Sequence, residues 1–183
     1  QTLNGAVNPT AGTHIVEIVF YENNGANTLS ASFSGPDTGN VFTNLTGYSG
    51  LSQVSGVGSD TINGGTGDDT MFGGGEDDTF ILEDDFGNDT IFGGETGTDE
   101  DVIDASAMTS GIDITFTSNE AGTASDGTDT ATFSQIEDII LTDHDDTVDA
   151  SVVTNDRTFF GGAGDDSITS GSGDDTLIGG GGD

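Results

Sequence analysis

The chain has 183 residues, enough for one or two small domains, and sets 34 Asp and Glu against a single cation, Arg157, for a formal net charge of -33. Such a charge repels phosphates and anionic headgroups, which argues against nucleic-acid partners and membrane insertion, and no apolar run approaches the length of a bilayer span. With no cysteine there is no disulfide framework, no thiolate metal site and no cysteine nucleophile. Low hydrophobicity with high net charge ordinarily prevents a core. Here, however, Ile, Phe, Val and Leu recur at fixed positions among Gly and Asp. Some counter-charge has to hold these residues together, and a bound cation is the simplest candidate.

Residues 1–54 contain no repeat. His14-Ile-Val-Glu-Ile-Val-Phe-Tyr21 reads as a strand, Asn23-Asn-Gly25 as a turn, and Thr28-Leu-Ser-Ala-Ser-Phe33 as an antiparallel partner closed by Gly35-Pro36-Asp37. The run from Ala11 to Glu22, with Ser34-Gly-Pro-Asp37 after it, is similar to the final hairpin of PA14-like β-sandwich domains. The sugar-binding function of some such domains does not transfer, because no paired aspartates lie within 1–40. Asn44-Leu-Thr46 has the form of a glycosylation acceptor, and a single such triplet in a Thr-rich chain carries little weight.

From residue 55 the chain is written in nines. Ser55-Gly-Val-Gly-Ser-Asp-Thr-Ile-Asn63 is followed by Gly64-Gly-Thr-Gly-Asp-Asp-Thr-Met-Phe72 and Gly73-Gly-Gly-Glu-Asp-Asp-Thr-Phe-Ile81. Two extra residues intervene before Asp84-Asp-Phe-Gly-Asn-Asp-Thr-Ile-Phe92, and the unit Gly93 to Ile103 is lengthened by two, so either Asp99 or Asp101 fills its sixth position. Glu76 replaces the fourth-position glycine, which either strains that turn or offers another carboxylate. This first array spans 55–103.

Residues 104–140 interrupt the period. Ile112, Ile114 and Phe116 alternate as in a strand, Ala131 and Phe133 supply its partner, and Asn119 to Asp129 reads as the polar connection. The whole is expected to be a β excursion that caps or splices the first array. The second array spans 141–183. Its unit at 141–149 keeps Asp146 but lacks both glycines, and the unit at 152–160 has Arg157 at the sixth position, a cation in place of a metal ligand. Gly161-Gly-Ala-Gly-Asp-Asp-Ser-Ile-Thr169 and Ser170-Gly-Ser-Gly-Asp-Asp-Thr-Leu-Ile178 restore the pattern, and a further unit breaks off at Asp183.

The physics of one unit follows from its residues. Glycines at the first, second and fourth positions permit a tight six-residue turn, and its last three residues suit a short strand whose middle side chain faces a core. Carbonyl and carboxylate oxygens, without nitrogen or sulfur, make a hard site suited to Ca²⁺. A P-loop is excluded because no Lys follows the glycines, and an EF-hand because no helices flank the loops.

These units resemble the calcium-binding nonapeptide repeats of the repeats-in-toxin (RTX) family, G-G-x-G-x-D-x-U-x. The resemblance implies an all-β parallel β-roll in which each nonapeptide is half a coil and Ca²⁺ lies between turns stacked on the same side. It implies metal ligands at Asp60, Asp69, Asp78, Asp166 and Asp175, extended in the irregular units to Asp89, Asp99 or Asp101, and Asp146. The fourth-position glycines Gly58, Gly67, Gly87, Gly164 and Gly173 join that set, and the fifth-position Asp68, Asp77, Asp165 and Asp174 contribute backbone carbonyls. It also implies folding outside the cell after type I secretion. His14 and His144 are each isolated, and no nucleophile-elbow motif is present, so catalysis is not expected.

The expected function is a calcium-stabilised structural module of a secreted or cell-surface bacterial protein, of adhesin, surface-layer or filament type. The alternative is the secretion-competent C-terminal region of an exported enzyme such as a protease or lipase. The start at Gln1 without Met or leader, and the unfinished last unit, lead to the expectation of self-association or of a larger polypeptide that covers the open ends.

Overall fold

Thr61-Ile-Asn63, Thr70-Met-Phe72 and Thr79-Phe-Ile81 each form a three-residue strand in which the middle residue is buried and its neighbours are half-buried. A strand this short is stable only in a stack, so what matters is the register between coils. The structure, a computed structural model, describes residues 58–94 and 99–182 in full, and of residues 1–57 the backbone of three strands.

The strands are β1 (Ser30–Ser32), β2 (Val41–Thr43), β3 (Ser52–Val54), β4 (Thr61–Asn63), β5 (Thr70–Phe72), β6 (Thr79–Ile81), β7 (Thr90–Phe92) and β8 (Val102–Asp104). They continue as β9 (Asp113–Phe116), β10 (Ala121–Ser125), β11 (Thr130–Ser134), β12 (Asp138–Ile140), β13 (Thr147–Asp149), β14 (Thr158–Phe160), β15 (Ser167–Thr169) and β16 (Thr176–Ile178). They alternate between two sheets, one of seven strands (β16-β14-β12-β8-β6-β4-β2) and one of nine (β1-β3-β5-β7-β11-β10-β9-β13-β15).

Parallel pairing sets Ile62 on Phe80, Phe80 on Ile103, and Met71 on Ile91, so each eighth-position side chain stacks on its counterpart one coil away. These ladders face each other between the sheets as one core running from Ile62 to Phe159. The architecture is the parallel β-roll expected from the sequence.

The strands before residue 55 join the same sheets. β1 pairs in parallel with β3, β3 with β5, and β2 with β4. The strand predicted over 14–21, which would pair antiparallel with 28–33, lies outside the described residues, as does Asn44.

The excursion differs from the sequence reading in its pairing and agrees with one of the two roles expected of it. β9, β10 and β11 form an antiparallel meander within the nine-stranded sheet. β11 continues in parallel from β7, and β9 continues in parallel into β13. On the opposite sheet β8 pairs directly with β12, and β12 with β14. The segment is therefore a splice that joins the arrays into one roll. Phe116 meets Phe133 edge-on with ring centroids 5.2 Å apart and Phe159 at 6.3 Å, so the excursion packs its rings against the second array.

The partner of β9 is Ala121–Ser125, a strand within the segment expected to be a polar connection. Its buried positions are Gly122 and Ala124, too small to show as an apolar alternation. A Cβ on Gly122 would lie 2.6 Å from Cζ of Phe133, so the missing side chain makes room for that ring.

Candidate metal centre

The turn from Gly64 to Asp69 shows how the repeat places its carboxylate. Gly65 (φ 80°) and Gly67 (φ 102°) both occupy the left-handed region, which reverses the chain within six residues and delivers Asp69 to the base of the turn, buried. Where glycine is replaced, the backbone keeps its path. Glu76 holds φ 68° at a fourth position and Asp85 holds φ 59° at a second position, each a strained conformation for a side-chain-bearing residue.

Stacking the turns produces ladders of carboxylates. On the edge leading into the seven-stranded sheet, Asp78 Oδ1 accepts the backbone N–H of Asp60 at 2.8 Å and Asp101 Oδ1 accepts that of Asp78 at 2.8 Å. Glu137 Oε2 accepts the N–H of Asp101 at 2.8 Å, and Asp175 Oδ1 that of Arg157 at 3.1 Å. On the other edge Asp89 Oδ1 accepts from Asp69 N at 2.9 Å and Asp166 Oδ1 from Asp146 N at 3.1 Å.

The fifth-position aspartates stitch in the opposite direction. Asp68 Oδ1 accepts from Asn88 N, Asp77 from Glu100 N, Asp145 from Asp165 N and Asp156 from Asp174 N, at 2.8–3.0 Å. Their side chains thus bond the next coil, a role beyond the backbone carbonyls that the resemblance implies.

These hydrogen bonds leave oxygens over. Oδ2 of Asp78 and Oδ2 of Asp101 are buried without a hydrogen-bond partner among the described residues. Each is crowded by a carbonyl: the place a Cβ on Gly73 would take lies against Asp78 Oδ2 and the carbonyl of Gly93. On Gly93 that place lies against Asp101 Oδ2 and the carbonyl of Gln135, and on Gly161 it is 2.7 Å from Asp166 Oδ2 and 2.6 Å from the carbonyl of Gly179.

Burial pushes the carboxyls of Asp78 and Asp89 up to about 7 and that of Asp101 to about 8, against the hydrogen bonds they accept and with the neighbouring aspartate charges adding to the rise. Burial likewise raises Glu137 to about 7, where Arg157 works in the opposite direction. Buried anionic oxygens beside carbonyl oxygens, with no donor to satisfy them, suit a hard divalent cation. Among the described residues no three His, Asp or Glu side chains converge as a metal cluster, so an ion here would draw much of its coordination from backbone carbonyls.

The predicted residues are not equivalent. Asp60, Asp69, Asp78, Asp89 and Asp101 are buried on the ladders, while Asp166 and Asp175 are half-buried. Pairing of Val102 with Thr79 puts Asp101, rather than Asp99, opposite Asp78; Asp99 adds negative charge to both. Of the fourth-position glycines, Gly58 is buried and Gly67, Gly87, Gly164 and Gly173 are half-buried in their turns.

Asp146 is satisfied within the protein. Its Oδ1 accepts from Ile112 N (2.7 Å) and from Thr142 Oγ1 (2.9 Å), and its Oδ2 accepts from Thr142 N (2.9 Å). Arg157 is buried, donates from Nη2 to the carbonyl of Asn119 at 2.6 Å, and lies 3.9 Å from Glu120 Oε1. Burial raises the carboxyls of Glu137 and Asp138, and the charge of Arg157 opposes that rise.

Glu137 is the site residue not anticipated from sequence. Pairing of Asp138 with Val102 puts Glu137 in register with Asp101. The signal was present, because Glu137-Asp138-Ile139-Ile140 has the acid-x-apolar-x form of Asp101-Val102-Ile103-Asp104, without the glycines that announce the other turns.

No curated protein matches the chain. The PA14-like resemblance of residues 11–37 lies outside both the fully described residues and the family match, and has no support from either. Residues 54–85, 81–107 and 158–183 match the RTX calcium-binding nonapeptide repeat, whose ion is Ca²⁺, and they are the stretches that carry most of the ladder.

Proposed function

We propose that the chain is a calcium-stabilised structural module of a secreted or cell-surface protein, serving as a stalk, layer or filament segment rather than as a catalyst. The observation that carries this is the pair of buried oxygens on Asp78 and Asp101 that have no partner among the described residues, set in a chain of net charge -33. Calcium between successive turns would satisfy those oxygens and offset the repulsion along each ladder. The ligands are Asp60, Asp69, Asp78, Asp89, Asp101, Asp166 and Asp175, with carbonyls of their turns, including those of Gly58, Gly67, Gly87, Gly164 and Gly173, completing the coordination. Asp146, whose oxygens already accept three protein hydrogen bonds, and Asp99, out of register, are left out.

Extracellular calcium modules bind in the range of about 10⁻⁴–10⁻³ M, which suits folding on export into a calcium-rich medium. Secretion and a structural role are supported by the likeness to RTX repeats and by a roll whose arrays share one core. Calorimetric titration with CaCl₂, run beside far-ultraviolet circular dichroism, tests the reading. Several ions should bind while β structure forms; a chain with the same spectrum in chelator and in millimolar calcium, and no heat of binding, would refute it.

A further inference from the structure

We propose that the coil interrupted by the meander holds a calcium ion of its own, between the turn carrying Asp101 and the short turn Gln135-Ile136-Glu137, with Asp101 Oδ2, the Gln135 carbonyl and the Glu137 carboxylate as ligands. The inference rests on the calcium reading above and adds a site built partly from residues outside the repeats.

Its first support is that Asp101 is 0% exposed and its Oδ2 has no partner among the described residues. A buried carboxylate oxygen without a donor points to a cation. Its second support is repetition of geometry. At the preceding coil, Asp78 Oδ2 and the Gly93 carbonyl share the space beside Gly73; here Asp101 Oδ2 and the Gln135 carbonyl share the space beside Gly93. Gln135 thus takes the part played by a first-position glycine. It does so at φ 59°, a strained value for a glutamine, with its carbonyl beside Gly93.

Glu137 completes the parallel. It caps Asp101 N at 2.8 Å just as Asp101 caps Asp78 N at 2.8 Å. The turn 135–137 has three residues where Gly73 to Asp78 has six, so a glutamate, longer by one methylene, spans what a shorter turn leaves open. The position along the ladder is also bounded. On the far side of Glu137 the next rung is Arg157, whose Nη2 is held by the Asn119 carbonyl and Glu120. A divalent ion between Glu137 and that fixed positive charge would be repelled, so the ion belongs on the Asp101 side.

The experiment is a crystal of the whole chain grown in calcium, with anomalous differences collected at long wavelength, and a calorimetric count of bound ions for wild type, Asp78→Asn, Glu137→Gln and Gly93→Ala. A peak at about 2.3–2.6 Å from Asp101 Oδ2 and the Gln135 carbonyl is expected. Glu137→Gln, which keeps the length of the side chain, should bind one ion fewer than wild type, and Gly93→Ala, which fills the cradle, should do the same. Peaks at the Asp78 turn with none at Gln135, or a full ion count in Glu137→Gln while Asp78→Asn loses one, would overturn the site and leave the calcium reading standing. No peak and no binding anywhere in wild type would overturn both. If either variant fails to fold, the wild-type anomalous map alone decides.

Discussion

In the first array, Asp78 and Asp101 each keep one buried oxygen that no donor among the described residues reaches. In the coils of residues 138–160 the corresponding charges are met from within: Thr142 and Ile112 supply donors to Asp146, and Arg157 stands beside Glu120 and opposes the effect of burial on Asp138. Both regions stack the same three-residue strands on the same apolar ladder. What differs is who neutralises the carboxylates. A roll can use a metal or its own side chains for that purpose, and on the calcium reading proposed above the two means alternate along a single axis.

The broadest consequence concerns calcium removal. An ion at about 100 times its Kd contributes about 2.7 kcal/mol, a hundredfold in an opening equilibrium, and only coils that bind it lose that much. In chelator, amide exchange in β4, β5, β6 and β7 should accelerate by about a hundredfold or more. Exchange in β13 and β14 should change much less. Equal acceleration throughout would mean that Thr142 and Arg157 do not substitute for metal, and the contrast between the regions would fall.

pH offers a sharper cut. Asp78, Asp89, Asp101 and Glu137 have folded-state values raised by burial to about 7 or 8, above their ordinary values near 4. A carboxyl raised on folding binds its proton more tightly in the native state, so metal-free stability is highest below the ordinary value and declines as pH rises toward the folded one. The melting temperature of the chelated protein should therefore fall steadily from pH 5 to pH 8. Saturating calcium should flatten the profile, and a chelated protein with no pH dependence between 5 and 8 would show that these carboxyls are not buried as described.

The second region is tested through its cation. Arg157→Gln removes the charge facing Glu120, Glu137 and Asp138 and the 2.6 Å bond to the Asn119 carbonyl. Breaking a fully buried pair costs about 3–5 kcal/mol. Glu120 is 36% exposed, so a loss of about 2–3 kcal/mol is the fairer expectation for urea unfolding in saturating calcium. An unchanged midpoint would reduce Arg157 to a bystander.

How much of this was legible beforehand depended on what kind of signal each feature leaves. The eighth-position ladder was visible because burial recurs every nine residues through Ile62, Met71 and Phe80, and returns at Ile91 after a two-residue insertion. The sixth-position aspartates were visible for the same reason. β10 was not, because a strand packed under Phe133 has to be built of Gly122 and Ala124, and small residues leave no apolar alternation. Glu137 went unnoticed because its turn dispenses with glycine and uses a strained Gln135 instead. The partners of Arg157 were out of reach, since Asn119 and Glu120 approach it only after the meander has folded over.

The smallest effect separates turn shape from turn charge. Glu76 sits at the fourth position with φ 68°, where the comparable turns have Gly67 at 102° and Gly164 at 124°. A side-chain-bearing residue in the left-handed region costs about 1–2 kcal/mol, and glycine returns part of that gain through the greater freedom it gives the unfolded chain, about 0.4–1 kcal/mol. Glu76→Gly should therefore stabilise the calcium-loaded roll by about 0.5–1 kcal/mol, raising its melting temperature by about 1–4 °C for a chain of this size. Its calcium affinity should stay the same, because Asp78 rather than Glu76 holds the ladder position. A variant that instead binds calcium several-fold more weakly would mark the Glu76 carboxylate as a ligand, and the first array would then neutralise its charge through one more side chain than its aspartate ladder supplies.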